Sequence, residues 1–399
     1  MMKDRPIRTP DVKYDAEEQR YWKKATNGAR SLINQQEGEV AALADPAPMR
    51  FRILRLDVAP AVKRRLLRYN DQLKLSASDE DAKRREYMSV LMSVPFGRYA
   101  LPADASAPGR ALAKLKATLD SAVYSQDAAK LEILRVVAQW MRCPGSKGVS
   151  ILLAGPPGVA KSELCHRGVS AGLDLPYTFI GLGGLTSASF LKGHGYCYSG
   201  SEPGAVVRAL VRNESMSQVY LFDEVDKVSD TDRGREIINT LIHLTDETTN
   251  DKFQDAYIGD IDLDMSRNVY FFTCNDPDRV SPILLDRMIR VDVAGYSNAD
   301  KTEIAKRHLL PAALKAFGMA QDSEFAGLMT DDFVRQAVVA TSSEQGVRDL
   351  KRAFRAVCAD INLRTTLDEA FVPTRADVEE ILRKETRIRG PACHHMMYN

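Results

Sequence analysis

Five short apolar runs mark the middle of the chain: "VSILLAG" (149–155), "YTFIGL" (177–182), "VYLFDEV" (219–225), "VYFFTCN" (269–275) and "RVDVAGY" (290–296). Each is rich in β-branched or aromatic residues, and stretches with helical spacing of apolar positions separate them. Within most runs the hydrophobic residues follow one another without alternation. A strand covered on both faces has that pattern, which predicts an α/β domain on a parallel sheet. Residues 51–99 show helical periodicity instead, with Leu66, Leu67, Leu73, Val90 and Leu91 set among charges. "SASDED" (76–81) reads as a helix cap and turn, and "LPADASAPG" (101–109) as a linker. Residues 110–142 read as two helices parted near "YSQD", and 298–390 as helical with a break near "PTRAD". The expected organisation is a polar arm over 1–48 with a short helix at 17–32, a helical segment over 49–105, an α/β domain over 106–297, a small helical domain over 298–390, and a tail over 391–399.

Composition adds class. Hydrophobic residues make up 44% and charged residues 27%, which predicts a packed core rather than disorder. A net charge of +1 argues against a polyanion binder acting with its whole surface. Residues 1–100 are locally basic, with 20 Lys and Arg against 14 Asp and Glu. A solvated helical surface explains that excess, and nucleic-acid contact is the alternative. The six cysteines form no CxxC pair and have no zinc spacing, so free thiols in a reducing compartment are expected. No apolar run approaches the ~20 residues that cross a bilayer, and "MMKDRPIRTPDVKYD" lacks the apolar core of a signal peptide. A soluble intracellular protein, cytoplasmic and without a membrane partner, is the expectation.

The chemistry gathers after three of the apolar runs. Gly155, Pro156, Pro157, Gly158, Val159, Ala160, Lys161 and Ser162 lie between a predicted strand and a predicted helix, the setting a phosphate-binding loop requires. Backbone N–H groups and the helix start would bind the phosphates of ATP, Lys161 would reach the β and γ phosphates, and Ser162 would hold Mg²⁺. Ala160 stands where the motif has glycine. If that position needs positive φ, alanine costs about 1 kcal/mol; if not, nothing is lost. "QVYLFDEVDKV" then supplies Asp223, which would bind Mg²⁺ through water, and Glu224, which would activate the attacking water as base. Asp226 and Lys227 read as a helix cap or a surface pair. Asn275 closes the next strand, where it would hold the water or sense the γ-phosphate; a turn cap is the alternative. Arg287 in "LLDRM" is placed to reach a neighbouring subunit's γ-phosphate, or else to pair with Asp286 or Asp292. Arg348 opens a predicted helix and could couple nucleotide state to a helical lid.

In sum these residues resemble an AAA+ ATPase, and from about 50 to 390 the chain is similar to the ATPase part of Lon proteases. "YMSVLMSVPFGRY" (87–99), "LDSAVYSQDAAKLEIL" (119–134), "IGLGGLTSASFLKGHGYCYSGSEPG" (180–204), "AGYSNADKTEIAKRHLLP" (294–311) and "GVRDL" (346–350) resemble Lon segments in the same order. The resemblance implies a doubly wound α/β ATPase domain followed by a helical lid, with Tyr124 bordering the adenine and ATP with Mg²⁺ as cofactors. It implies that "GHGYCYSG" is a pore loop gripping a threaded protein chain, with Tyr198 as the gripping aromatic and Tyr196 one strand-step away. Ser199 departs from the aliphatic residue usual there, which weakens the grip. "DETTNDKFQDAY" (246–257) would be a second pore loop. The implied assembly is a homo-oligomeric ring, by resemblance a hexamer. Lon continues into a Ser–Lys peptidase domain, whereas this sequence stops at "RIRGPACHHMMYN"; the expectation is an unfoldase or remodeller without protease activity, feeding a separate peptidase or remodelling complexes. A nucleic-acid motor and an ATP-dependent structural ring are the alternatives.

Overall fold

A computed structural model describes residues 47–73, 79–100, 108–142, 149–197, 200–319, 323–368 and 370–387, with isolated positions between 18 and 36. Most of the expected arm, most of the linker, the tail, and both Tyr198 and Ser199 lie outside the described residues. The chain divides into two compact units, Met1–Leu75 and Ser76–Asn399. In the first, α1 (Met49–Arg55) and α2 (Pro60–Gln72) bury Ile53 and Leu66 completely. Pro60 opens α2, where its missing N–H costs nothing.

The second unit begins with α3 (Asp79–Ser93), α4 (Pro108–Ala122) and α5 (Asp127–Arg142). Five parallel strands follow: β1 (Ser150–Ala154), β2 (Tyr177–Gly181), β3 (Val219–Asp223), β4 (Val269–Cys274) and β5 (Ile289–Asp292), in the spatial order β2-β3-β4-β1-β5. Every residue of the central strands β1 and β4 is buried, which accounts for their unbroken apolar sequence. On the edge strand β2 burial alternates, Phe179 being exposed between buried Thr178 and Ile180, and on the other edge, β5, only Val291 is buried. This is the doubly wound α/β architecture expected from the sequence, and it brings the carboxyl ends of β1, β3 and β4 side by side at one rim of the sheet.

The helix after β1, α6 (161–173), starts at Lys161–Glu163, passes through a π-helical turn over Leu164–Ser170, and ends at Ala171–Leu173. Gly168 and Gly172 let α4 approach it: a Cβ would stand 2.6 Å from Leu119 Cδ2 at the first and 2.8 Å from Leu115 Cδ1 at the second. Between the later strands the chain forms α7 (Ser189–Lys192) and α8 (Ala205–Asn213) before β3, α9 (Asp232–Thr245) before β4 and α10 (Pro282–Leu285) before β5. A helical group ends the chain: α11 (298–316), α12 (Ser323–Leu328), α13 (Asp331–Ala340), α14 (Arg348–Leu367) and α15 (Arg375–Arg387). Phe325, Phe333, Phe354 and Val357 form its own core. A capping box fixes its start, Ser297 accepting from the Asp300 N–H while the Asp300 carboxylate accepts from the Ser297 N–H. Among the described residues no helix is long and apolar enough to cross a membrane.

One buried acid ties the segment before α8 to residues 255–258. Asp255 is wholly buried and accepts from Gly204 N at 2.8 Å, Tyr257 N at 2.8 Å and Ile258 N at 3.3 Å. Burial outweighs these bonds and pushes its carboxyl up to about 6. A folded-state value above the unfolded one means that the stability Asp255 contributes is fully present below about pH 4 and is lost as pH rises through about 6. Chemical denaturation should therefore show the stability of the wild type, relative to Asp255→Asn, falling by roughly 2 kcal/mol between pH 4 and pH 7. A constant difference across that range would contradict the assignment.

Candidate nucleotide site

The loop leaving β1 is built for close approach. Gly155 N–H donates to Cys274 O at 3.3 Å, and a Cβ at Gly155 would lie 2.2 Å from Val293 O. Gly158 has φ +79°. Ala160, the residue before α6, has φ +66° and ψ 26°, the left-handed region. The conformation is thus the one that favours glycine, and the alanine is accommodated with strain. After it the N–H groups of the first helical turn have no preceding turn to bind them, as an anion site needs.

Lys161 is 8% exposed, and its ammonium is held by oxygens from two strand ends. It donates to Gly155 O, to Pro156 O at 3.3 Å, to Cys274 O at 2.9 Å and to Asn275 Oδ1 at 2.9 Å. Burial lowers its pKa, while the nearby carboxylates Asp223, Asp226 and Glu224 oppose that shift. Ser162 follows at the exposed start of the helix.

Asp223 is the last residue of β3, and Glu224 takes φ +59° immediately after it. The Thr273 hydroxyl donates to Asp223 Oδ1 and accepts the Glu224 N–H at 3.0 Å. Gly183 makes room for the glutamate: a Cβ there would stand 2.4 Å from Glu224 Oε2. Asp226 differs from expectation. It is 2% exposed, neither a helix cap nor a surface partner of Lys227, and its Oδ2 accepts from Asn275 N at 3.1 Å and Asp276 N at 3.2 Å. Thr273, Gly183 and the buried role of Asp226 escape sequence reading, because each depends on which strand ends are neighbours. The oxygen donors of Ser162 and Asp223 suit a hard cation such as Mg²⁺, and the loop with Lys161 suits a triphosphate.

The remaining candidates lie around this centre. Arg287 pairs with Asp246 rather than Asp286 or Asp292, its Nε and Nη2 lying 3.2 and 3.1 Å from Asp246 Oδ2, and it also donates to Ile283 O at 2.8 Å. Arg348 begins α14, and its N–H is capped by Glu344 Oε1 at 3.1 Å. The turn before it rests on the phosphate loop: Val347 N–H donates to Gly158 O at 3.1 Å, and a Cβ at Gly346 would lie 2.2 Å from Pro157 O. Buried Lys301 donates to Glu344 O and so holds the base of that turn. The Tyr124 ring faces the Arg307 guanidinium at 5.3 Å, and Ser125 and Gln126 beside it both take positive φ. Tyr196 is half-buried and packs on the Tyr87 ring of α3, centroids 4.5 Å apart, while Lys83 donates to Cys197 O at 3.0 Å.

The strain at Ala160 has a measurable consequence. Ala160→Gly is expected to raise unfolding stability by about 0.5 kcal/mol, the relief of left-handed strain being partly offset by glycine's looser unfolded chain. Ala160→Val should lower stability by about 1 kcal/mol or more. Denaturant titration giving the opposite order would contradict the left-handed assignment.

Comparison with known proteins agrees with this geometry. Residues 151–295 match the ATPase family associated with various cellular activities (AAA). The chain is similar to a Lon protease homolog of Acanthamoeba polyphaga mimivirus, 36% identical over 246 residues that cover 61% of this chain and 24% of the relative. It is similar to Lon protease homolog 2, peroxisomal, of Pichia angusta, 32% identical over 349 residues covering 81% and 36%. A Lon protease of Cytophaga hutchinsonii is 30% identical over 302 residues covering 75% and 36%. The chain thus spans between 24% and 36% of the length of these relatives. Residues 151–295 belong to the AAA ATPase family, in a chain whose ATPase region is related to that of Lon proteases.

Proposed function

We propose that this chain works as a hexameric ring in which ATP hydrolysis pulls on protein chains, unfolding or remodelling them. The seating of the turn before α14 on the phosphate loop carries this reading, because it joins the nucleotide site to the helical lid through Val347 N–H and Gly158 O. A change at the phosphates then alters the angle between sheet domain and lid, a lever that a ring can use. The relatives are named proteases, which favours protein as the substrate.

In the proposed mechanism Lys161 exchanges part of its carbonyl cage for the β and γ phosphates, and the first turn of α6 binds the remaining oxygens. Ser162 and Asp223 would hold Mg²⁺, which neutralises charge on the phosphates when bound. Glu224 takes a proton from water as that water's oxygen attacks the γ-phosphorus; the bond to the bridging oxygen breaks, releasing ADP and phosphate. Asn275, tethered to Lys161, orients the attack. Arg287 exchanges Asp246 for a neighbouring subunit's γ-phosphate when the ring assembles. Tyr124 borders the adenine, Arg348 senses nucleotide from the lid, and Tyr196 with Tyr198 carries the moving substrate contact.

A second reading, a motor on nucleic acid, is favoured by one observation: α1 and α2 together carry seven Lys and Arg and one Asp.

ATP turnover of the full chain, measured alone, with an unfolded protein and with single-stranded DNA, separates the readings. Stimulation by unfolded protein that disappears in Tyr198→Ala is expected; stimulation by DNA alone would favour the second reading. Glu224→Gln should bind ATP and lose turnover by about 100-fold or more, with wild-type turnover in that variant contradicting the assignment of the base. Arg287→Ala should bind ATP and not hydrolyse it. Mixed rings of Arg287→Ala and Glu224→Gln subunits should regain turnover above either alone, and no gain would count against action between subunits.

A further inference from the structure

The backbone pairing of β3 with β4 runs from Val219 opposite Val269 to Phe222 opposite Phe272 and stops there. Past that point two side chains continue the join in opposite directions. Thr273, on β4, donates its hydroxyl proton to Asp223 Oδ1 and accepts the Glu224 N–H at 3.0 Å. Asp226, beyond β3, accepts the N–H groups of Asn275 and Asp276 at 3.1 and 3.2 Å. Each strand tip is therefore held by a side chain from the other. Both residues are 2% exposed, so water does not compete for these bonds.

We propose that Thr273 and Asp226 form a reciprocal latch that sets Asp223, Glu224 and Asn275 in mutual register, and that both are positioning residues for ATP hydrolysis. The inference rests on the ATPase reading of the site. Three features support it. A threonine hydroxyl has one proton, and here that proton goes to Asp223, which leaves only its lone pairs for Glu224 N–H. Glu224 holds a left-handed backbone that the surroundings must enforce, and the bond from its N–H to Thr273 is positioned to do so. Asp226 keeps its second oxygen, Oδ1, buried without a hydrogen bond, which costs the fold the desolvation of that oxygen. That cost is understandable if the first oxygen is needed to hold the tip of β4.

The test compares Thr273→Val, which keeps shape and loses both bonds, with Thr273→Ser, which keeps them, in the full chain. The readouts are kcat and KM for ATP, melting temperature, and the affinity of a fluorescent ATP analogue with and without Mg²⁺. Thr273→Val should lower kcat by about 10- to 100-fold with KM within about threefold. It should bind the analogue normally without Mg²⁺ and lose the tightening that Mg²⁺ brings. Thr273→Ser should restore both. Equal kcat in the valine and serine variants, or wild-type kcat in Thr273→Val, would overturn the latch. If Thr273→Val does not fold, Asp226→Asn and Asp226→Ala take its place: only the alanine variant should lose about tenfold or more in kcat, and equal behaviour overturns the proposal. A wild type that does not hydrolyse ATP would defeat the ATPase reading instead, while the Mg²⁺-dependent binding still reports on the latch.

Discussion

One ammonium group organises the rim of the sheet. Lys161 sits at the first turn of α6 and gathers the carbonyl oxygens of Gly155, Pro156 and Cys274 with the side chain of Asn275. Its donors thus join the loop after β1 to the tip of β4. Burial disfavours its charge and lowers its pKa, and the carboxylates after β3 oppose that shift without cancelling it. An ionised lysine in such a place is stable only while oxygens surround it. Phosphate oxygens are chemically equivalent partners, so the same constraint that shapes the rim makes it receptive to a triphosphate.

The strand ends around this lysine are kept in place by groups that make no claim on ligand. Thr273, Asp226 and Gly183 fix where the acids after β3 point, and the turn at Gly346 and Val347 presses on the phosphate loop from the lid side. The site is therefore not a loop on a scaffold but the meeting of four segments. Packing of α4 against Gly168 and Gly172 carries that order further from the site, into the helices ahead of the sheet.

The sheet, its helices and the phosphate-binding motif were legible in the sequence because they rest on local pattern: unbroken apolar runs, glycines before a helix, acids after a strand. What could not be read rests on neighbours. Whether Ala160 needed positive φ depended on backbone geometry that the letters do not encode, and it does. Asp226 looked like a surface acid because its partners, Asn275 and Asp276, come from a strand some fifty positions later. Arg287 read as a finger toward a neighbouring subunit, or else as a partner of Asp286 or Asp292; within this chain its partner is Asp246 at the end of α9, since α9 packs beside α10. The packing of Tyr196 could not be read either, because its neighbour, Tyr87 of α3, is distant in sequence.

Amide hydrogen exchange on Lys161→Met, measured without nucleotide, tests the organising role of the ammonium most directly. The methionine keeps the length of the chain and removes the donors. The expected result is faster exchange at Gly155, Asn275 and Asp276, whose N–H groups bridge the strand tips, with protection of the interiors of β1 and β4 unchanged. Unaltered exchange at those three amides would contradict the view that Lys161 holds the rim together.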